Sequence, residues 1–178
     1  MHPIVPQIVG ILAVATFLLS YQQKNRRAII ILNTVSRVLY IVQYILLGAF
    51  SGMALDVVGA VASVIAARRD TQFVRKHLRA VIISVDAVIV IVGILLYRTP
   101  IDLLPLFGVL LHTGAFWLTD ERWIRRVSLA GSPFWLVYNL SATAYGSAIG
   151  DVLTMVSILL AMYRYRRAKH PNQSRETT

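Results

Sequence analysis

The sharpest chemical feature of the sequence is an arginine set inside a long apolar run. Arg37 lies ten residues from the basic end of that run, about 15 Å in at 1.5 Å per helical residue. If the run lies in lipid, such a group costs at least about 2.5–3.5 kcal/mol to insert. Two readings stand open. The planar guanidinium anchors an anion or carboxylate of a ligand, or it makes a structural bond to carbonyls or an aspartate, or snorkels along a tilted helix. Asn33, Arg37, Tyr40 and Tyr44 recur at spacings of four, three and four, which puts them on one helical face, with Gln43 beside them. Further along, Trp135, Tyr138 and Asn139 share a face of another helix. An aromatic ring beside an amide suits a small planar or polar ligand, and it equally suits packing between helices.

His112 lies at a similar depth in its own apolar run and is either a proton shuttle or a hydrogen-bonded structural residue. Asp56 and Asp151 sit near the starts of two further runs, where they act as helix N-caps or as gates. Pro6, Pro105 and Pro133 mark sites of gating or bending. Asp86, in a fourth run, is expected to pair with a basic residue of another helix. The chain has no cysteine, so thiolate chemistry and Cys-based metal sites are excluded. His2, His77, His112 and His170 are scattered without metal-ligand spacing, and there is no phosphate-binding glycine motif. No metal, no cofactor and no enzymatic activity are expected.

The elements that must hold these residues follow from composition. Of 178 residues, 57% are hydrophobic and 15% charged, with a mean hydropathy of +0.65. Ordinary globular chains carry roughly 45–50% and 25%. Seven apolar segments appear: Ile4–Tyr21, Ala28–Phe50, Met53–Ala67, Ala80–Tyr97, Ile101–Leu118, Val127–Tyr145 and Ser147–Tyr163. A bilayer core about 30 Å thick needs about 20 such residues in a helix, and lipid forbids unpaired backbone. The sequence therefore predicts an all-α membrane protein with seven transmembrane helices. The first segment lacks a basic start and a cleavage pattern, so it reads as a retained helix.

The net charge of +10 is a topology signal rather than a nucleic-acid footprint, and no nucleic-acid partner is expected. Sixteen of the 18 basic residues fall in alternate connections and the tail, including Arg26, Arg27, Arg68, Arg69, Arg75, Lys76, Arg79, Arg125 and Arg126. That side is cytoplasmic, which puts the N-terminus outside and the C-terminus inside. Trp117, Trp123, Tyr97, Tyr145, Tyr163 and Tyr165 are expected to form interfacial belts. Gly48 and Gly52 give one GxxxG packing motif.

An internal repeat organises the chain. Ala49-Phe-Ser-Gly-Met-Ala-Leu-Asp56-Val matches Ala144-Tyr-Gly-Ser-Ala-Ile-Gly-Asp151-Val at an offset of 95. Pro6-Gln-Ile-Val-Gly10-Ile-Leu resembles Pro105-Leu-Phe-Gly108-Val-Leu, with a small gap. Segments one to three thus repeat as five to seven, with the fourth as linker, a 3+1+3 parallel repeat. The expected units are a first bundle with its cytoplasmic loop over 1–79, a linker helix over 80–100, a second bundle over 101–165 and a flexible basic tail over 166–178.

With this plan and Pro6-Gln7 in the first helix, the chain resembles the SWEET, PQ-loop and PnuC transporter group. More closely, Gln7-Ile-Val-Gly10 with its basic loop, Leu103-Leu-Pro-Leu-Phe-Gly108, Trp135-Leu-Val-Tyr-Asn139 and Gly146–Arg167 resemble the YgjV family of bacterial inner membrane proteins. The resemblance implies a SWEET-like fold and an inner-membrane location. It departs from the SWEET pattern where Val38 replaces the repeat partner of Pro133, where Gln7 has no counterpart, and where Asn33 and Asn139 lie on second rather than third helices. Sugar specificity therefore does not carry over. The expectation is a passive or proton-coupled carrier of a small polar or anionic metabolite, with Arg37, Asn139, Trp135, Gln43, His112, Asn33 and Tyr40 around a midplane site. The alternative is a non-transporting receptor or assembly subunit. The bilayer, the solute and, as an option, further copies of the chain are the expected partners.

Overall fold

A computed structural model describes residues 4–168, and among them there is no strand. The helices are α1 (Ile4–Gln22), α2 (Arg26–Leu47), α3 (Phe50–Ala67), the short α4 (Gln72–Lys76), α5 (Leu78–Leu95), α6 (Leu103–Phe116), α7 (Glu121–Ser141) and α8 (Tyr145–Ala168). A 3₁₀ turn, Pro100–Asp102, leads into α6. Helices α1, α2, α3 and α5 are each long and apolar enough to cross a membrane. The apolar stretches Pro100–Phe116 and Tyr145–Leu160 are shorter. Of the seven crossings expected, four thus meet both criteria among the described residues. Even with its leading 3₁₀ turn the α6 stretch stays short, because α6 stops at Phe116. The basic first turns of α7 and its inward-facing Ser128, Ser132 and Asn139 dilute its apolar character.

Local chemistry sets the boundaries. Asn25 caps α2 by accepting from the Ala28 N–H at 2.7 Å. Gly48 ends α2 in the left-handed region at φ 69°, three residues sooner than the apolar run suggests. Asp120 caps α7 through the Arg122 N–H at 2.8 Å, so that helix begins at Glu121 rather than Val127. It stops at Ser141, ahead of a turn in which Thr143 takes φ 57°. Asn139 is consequently two residues from a helix end, not at mid-depth as expected. Thr99 and Asp102 form a capping box before α6. Helix α8 runs to Ala168, so the first three residues of the expected flexible tail are helical. The rest of the tail, with His170, and His2 lie outside the described residues.

Each helix packs on a limited set of neighbours. Contacts run α1 to α2, α2 to α3, α3 to α6, α6 to α7, α7 to α8 and α8 back to α1, closing a ring of six. Helix α5 lies outside it against α3 and α6. The bundle of ring and α5 is apolar on the outside and polar within. Ile8, Ile11, Ile83, Ile91, Val156 and Leu160 are exposed, while Asn33, Ser36, Gln43, Ser63, Ser128, Ser147 and Thr154 are buried. Only an apolar solvent favours that inversion, because in water the exposed isoleucines would drive association.

At the end of the ring holding the α1–α2 and α6–α7 connections, arginines are structural. Arg26 donates to the carbonyls of Leu118 (3.0 Å), Ala66 (2.8 Å) and Phe116 (2.5 Å), collecting the open C-terminal ends of α3 and α6. Arg69 donates to the Trp117 carbonyl. Beneath them Ile29, Ile30, Ala66, Phe116, Trp117 and Ile124 form an apolar cluster.

Other expectations are corrected here. Trp117 is buried in that cluster rather than belted, whereas Trp123, Tyr97, Tyr145 and Tyr163 are exposed. The GxxxG pair does not share a helix, because Gly48 closes α2 and Gly52 lies in α3. Among the described residues Asp86 makes no ion pair, and its Oδ1 is buried without a hydrogen-bond partner.

Candidate functional site

Inside the ring, α1, α2, α3, α6, α7 and α8 enclose a cavity of about 20 Å³. That is room for about one water and no metabolite. Phe17, Arg37, Tyr40, Tyr44, Asp56, His112, Trp135, Asn139 and Asp151 line it. Of the residues singled out for binding, Arg37, Tyr40, His112, Trp135 and Asn139 meet here. Asn33 and Gln43 are buried behind the wall and support it. Asn33 Oδ1 accepts from Arg37 Nε at 3.3 Å. Gln43 Oε1 accepts from the Ser147 hydroxyl at 2.5 Å, which ties α2 to α8.

Arg37 is the twelfth residue of α2, and its Nη1 donates to Asp56 Oδ1 of α3 at 2.6 Å. Both side chains are 4% exposed. This is the aspartate bond that the sequence left open as one of two readings. Gly59, one turn after Asp56, makes room for it. A Cβ there would collide with Arg37 Nη1 and come within 2.6 Å of Val109 Cγ2. Arg37 Nη2 is buried without a hydrogen-bond partner.

The opposite wall is a relay of uncharged donors ending on a carboxylate. The Tyr44 hydroxyl donates to Asn139 Oδ1 at 2.7 Å, and Asn139 Nδ2 donates to Asp151 Oδ2 at 2.8 Å. Asp56 and Asp151 are each the seventh residue of their helix. The expected helix-cap role is therefore corrected, since seven residues in, the N–H groups already have intrahelical partners. Both carboxylates instead face the cavity. Their equivalent spacing was visible in the repeat, but nothing in one sequence places α3 and α8 across a cavity from each other.

His112 Nε2 meets the Ser128 carbonyl at 2.9 Å. A carbonyl only accepts, so Nε2 carries a proton. Trp135 stands close to parallel to Tyr44, with centroids 6.2 Å apart and an interplanar angle of 13°. It fits because Gly108 of α6 lacks a side chain, and a Cβ there would lie 2.5 Å from Trp135 Nε1. Pro6 and Pro105 are third residues of α1 and α6, where proline needs no N–H partner. Pro133 lies inside α7. None of the three prolines lines the cavity.

Sequence reasoning missed Phe17 and the part played by Tyr138. A larger open recess of about 460 Å³ lies at the end bearing the α2–α3 and α7–α8 turns, lined by Ser51, Arg98, Asp102, Tyr138 and neighbouring residues. Tyr138 packs edge-on against Tyr44 and Trp135 of the cavity wall, at 5.9 and 6.1 Å. Its hydroxyl accepts from the Gly52 N–H at 2.8 Å and lies 3.0 Å from the Ser51 hydroxyl. One ring thus stands between recess and cavity. Gln7 steadies the same end, donating to the Thr143 carbonyl at 3.2 Å and accepting from the Gly146 N–H at 3.0 Å.

No ion pair other than Arg37–Asp56 and no cluster able to hold a metal ion occurs among the described residues. No curated protein and no solved structure matches the chain. A family model described as bacterial inner membrane protein, Imp-YgjV, matches residues 4–169. The match spans nearly the whole chain and agrees with the apolar exterior, and the protein belongs to the Imp-YgjV family of bacterial inner membrane proteins.

Proposed function

We propose that the protein is a carrier of a small polar solute, working as two three-helix bundles joined by α5 in a 3+1+3 arrangement. In this reading all seven long helices cross the inner membrane, with the N-terminus outside and the C-terminus inside. The observation that carries it is the closed cavity into which both halves send polar side chains. Arg37 and Asp56 come from the first half, and His112, Asn139 and Asp151 from the second. Transporters built from repeats place their sites at such a junction.

Equivalent positions support the repeat. Gly48 and Thr143, 95 residues apart, both take left-handed turns. Tyr44 and Asn139 hydrogen-bond each other at the same offset. In this reading the small cavity corresponds to an occluded state, with Tyr138 as the barrier on the recess side. Opening requires the Tyr138 hydroxyl to leave Ser51 and Gly52. The anionic variety of substrate loses support, because Asp56 already neutralises Arg37.

The test is solute flux into proteoliposomes, with and without a proton gradient, guided by a thermal-shift screen for ligands. A ligand that binds only the folded state raises the melting temperature. A stabilising solute that also crosses the bilayer, and stops crossing in Arg37→Gln, is the expected result. Binding retained unchanged in a folded Arg37→Gln protein refutes the site.

A second reading, a receptor or assembly subunit, has one observation in its favour. Arg68, Arg75, Lys76 and Arg79 are exposed around α4, beside an exposed Phe73. Neutralising them together should remove a pulled-down partner without disturbing insertion. Unchanged partners count against that reading.

A further inference from the structure

We infer that the cavity is built for a solute carrying an ammonium group and an acceptor oxygen on one small framework, an amino acid, with Asp151 facing the ammonium and Arg37 the oxygen. This rests on reading the cavity as a solute site.

The argument starts from charge. The wall holds one guanidinium and two carboxylates. Arg37 and Asp56 cancel at 2.6 Å. Asp151 receives an amide hydrogen bond from Asn139 and has no ion-pair partner among the described residues. A buried carboxylate without a cation is costly in a medium of low dielectric. Of the neighbouring donors, Tyr44 is committed to Asn139 and His112 Nε2 to the Ser128 carbonyl. The wall therefore has one carboxyl group, Asp151, without an ion-pair partner among the described residues.

The second observation is independent and of opposite polarity. Arg37 uses Nε on Asn33 and Nη1 on Asp56, and its Nη2 is buried without an acceptor. An unpaired buried donor is as unfavourable as an unpaired acceptor. A ligand that satisfies both walls must supply a cationic N–H group toward Asp151 and an oxygen toward Arg37. A carboxylate alone leaves Asp151 unbalanced. A bare amine leaves Nη2 orphaned. A sugar supplies hydroxyls and no charge. The Tyr40 and Trp135 rings line the same space, and aromatic rings attract an ammonium. The present volume holds about one water, so the ligand enters only when the Tyr138 side opens.

The experiment is thermal unfolding of the full chain in detergent with each of the twenty amino acids, then with the amine and the carboxylic acid matched to the best binder. Sugars and nucleosides serve as controls. An amino acid should raise the melting temperature, with its amine and its acid about tenfold or more weaker in affinity. Asp151→Asn should abolish the advantage of the amino acid over its deaminated acid. Should that variant not fold, the three-ligand comparison on the native protein decides. Stabilisation by sugars, nucleosides or plain carboxylates in place of amino acids overturns the inference. So does an amine or acid that binds as well as the amino acid, or no response to any amino acid. Amino-acid binding without flux in proteoliposomes leaves the inference standing and refutes the carrier. Flux of another solute does the reverse.

Discussion

Breaking the Arg37–Asp56 pair on one side should destabilise the protein far more than removing the pair altogether. The two groups meet at 2.6 Å with both side chains 4% exposed, so water cannot replace a missing partner. Removing one partner of a buried pair costs about 3–5 kcal/mol, because the other charge is left uncompensated. For a chain of 150–250 residues each kcal/mol shifts the melting temperature by about 2–4 °C, so Asp56→Ala should melt roughly 6–20 °C lower. Asp56→Asn keeps the shape and one acceptor oxygen and should fall in the lower part of that range. The double variant Arg37→Met with Asp56→Leu replaces both charges by apolar volume and should recover most of the loss, since well-packed apolar substitutes for buried pairs are often neutral or better. The assay is a double-mutant cycle on detergent-purified protein, read by thermal unfolding with a fixed detergent and protein concentration. A coupling energy under about 0.5 kcal/mol would refute the reasoning. It would mean that water or lipid headgroups reach the pair and that the site is not closed. The double variant should also lose any ligand that stabilises the native chain, which separates a structural pair from a functional one.

Other outcomes follow from particular contacts. Thr143 holds a left-handed backbone at φ 57°, a region that glycine occupies at Gly48 (φ 69°), so Thr143→Gly should be neutral or stabilising by up to about 1–2 kcal/mol in thermal unfolding. A loss beyond about 1 kcal/mol would show that the Thr143 side chain has a role of its own. Gly108→Ala puts a methyl group 2.5 Å from Trp135 Nε1 in a fully enclosed wall, and overpacking there should cost about 1–3 kcal/mol and quench or shift Trp135 fluorescence in a Trp117→Phe, Trp123→Phe background. Unchanged stability and emission would place the Trp135 ring elsewhere. Arg26→Ala strands the carbonyls of Ala66, Phe116 and Leu118, so it should destabilise by a few kcal/mol, at about 1–3 kcal/mol per carbonyl left dry. Arg27→Ala, at the neighbouring position, is its control for charge alone, and equal effects of the two would reduce Arg26 to a topology signal.

The sequence by itself determined the solvent of this protein and the kind of secondary structure it must adopt. Runs such as Ile4–Gln22 and Leu78–Leu95 leave no alternative to helix, because lipid offers backbone groups no partner. It also marked the polar faces. Asn33, Arg37, Tyr40 and Tyr44 fall on one side of α2 by spacing alone, and all four are buried. Helix ends were less legible. Gly48 and Asp120 carry recognisable signals, yet an apolar count reads through a glycine and begins only where the charges stop. Spacing within a helix is a local property, and one strand of sequence is enough to fix it. What faces what is not local. That Asp56 neutralises Arg37 while Asp151 receives only an amide depends on which helices close the ring, and on Gly59 yielding space to a guanidinium from another helix. Which of two equivalently placed aspartates meets a guanidinium and which meets only an amide is a difference between two pairings, and only the tertiary structure decides it.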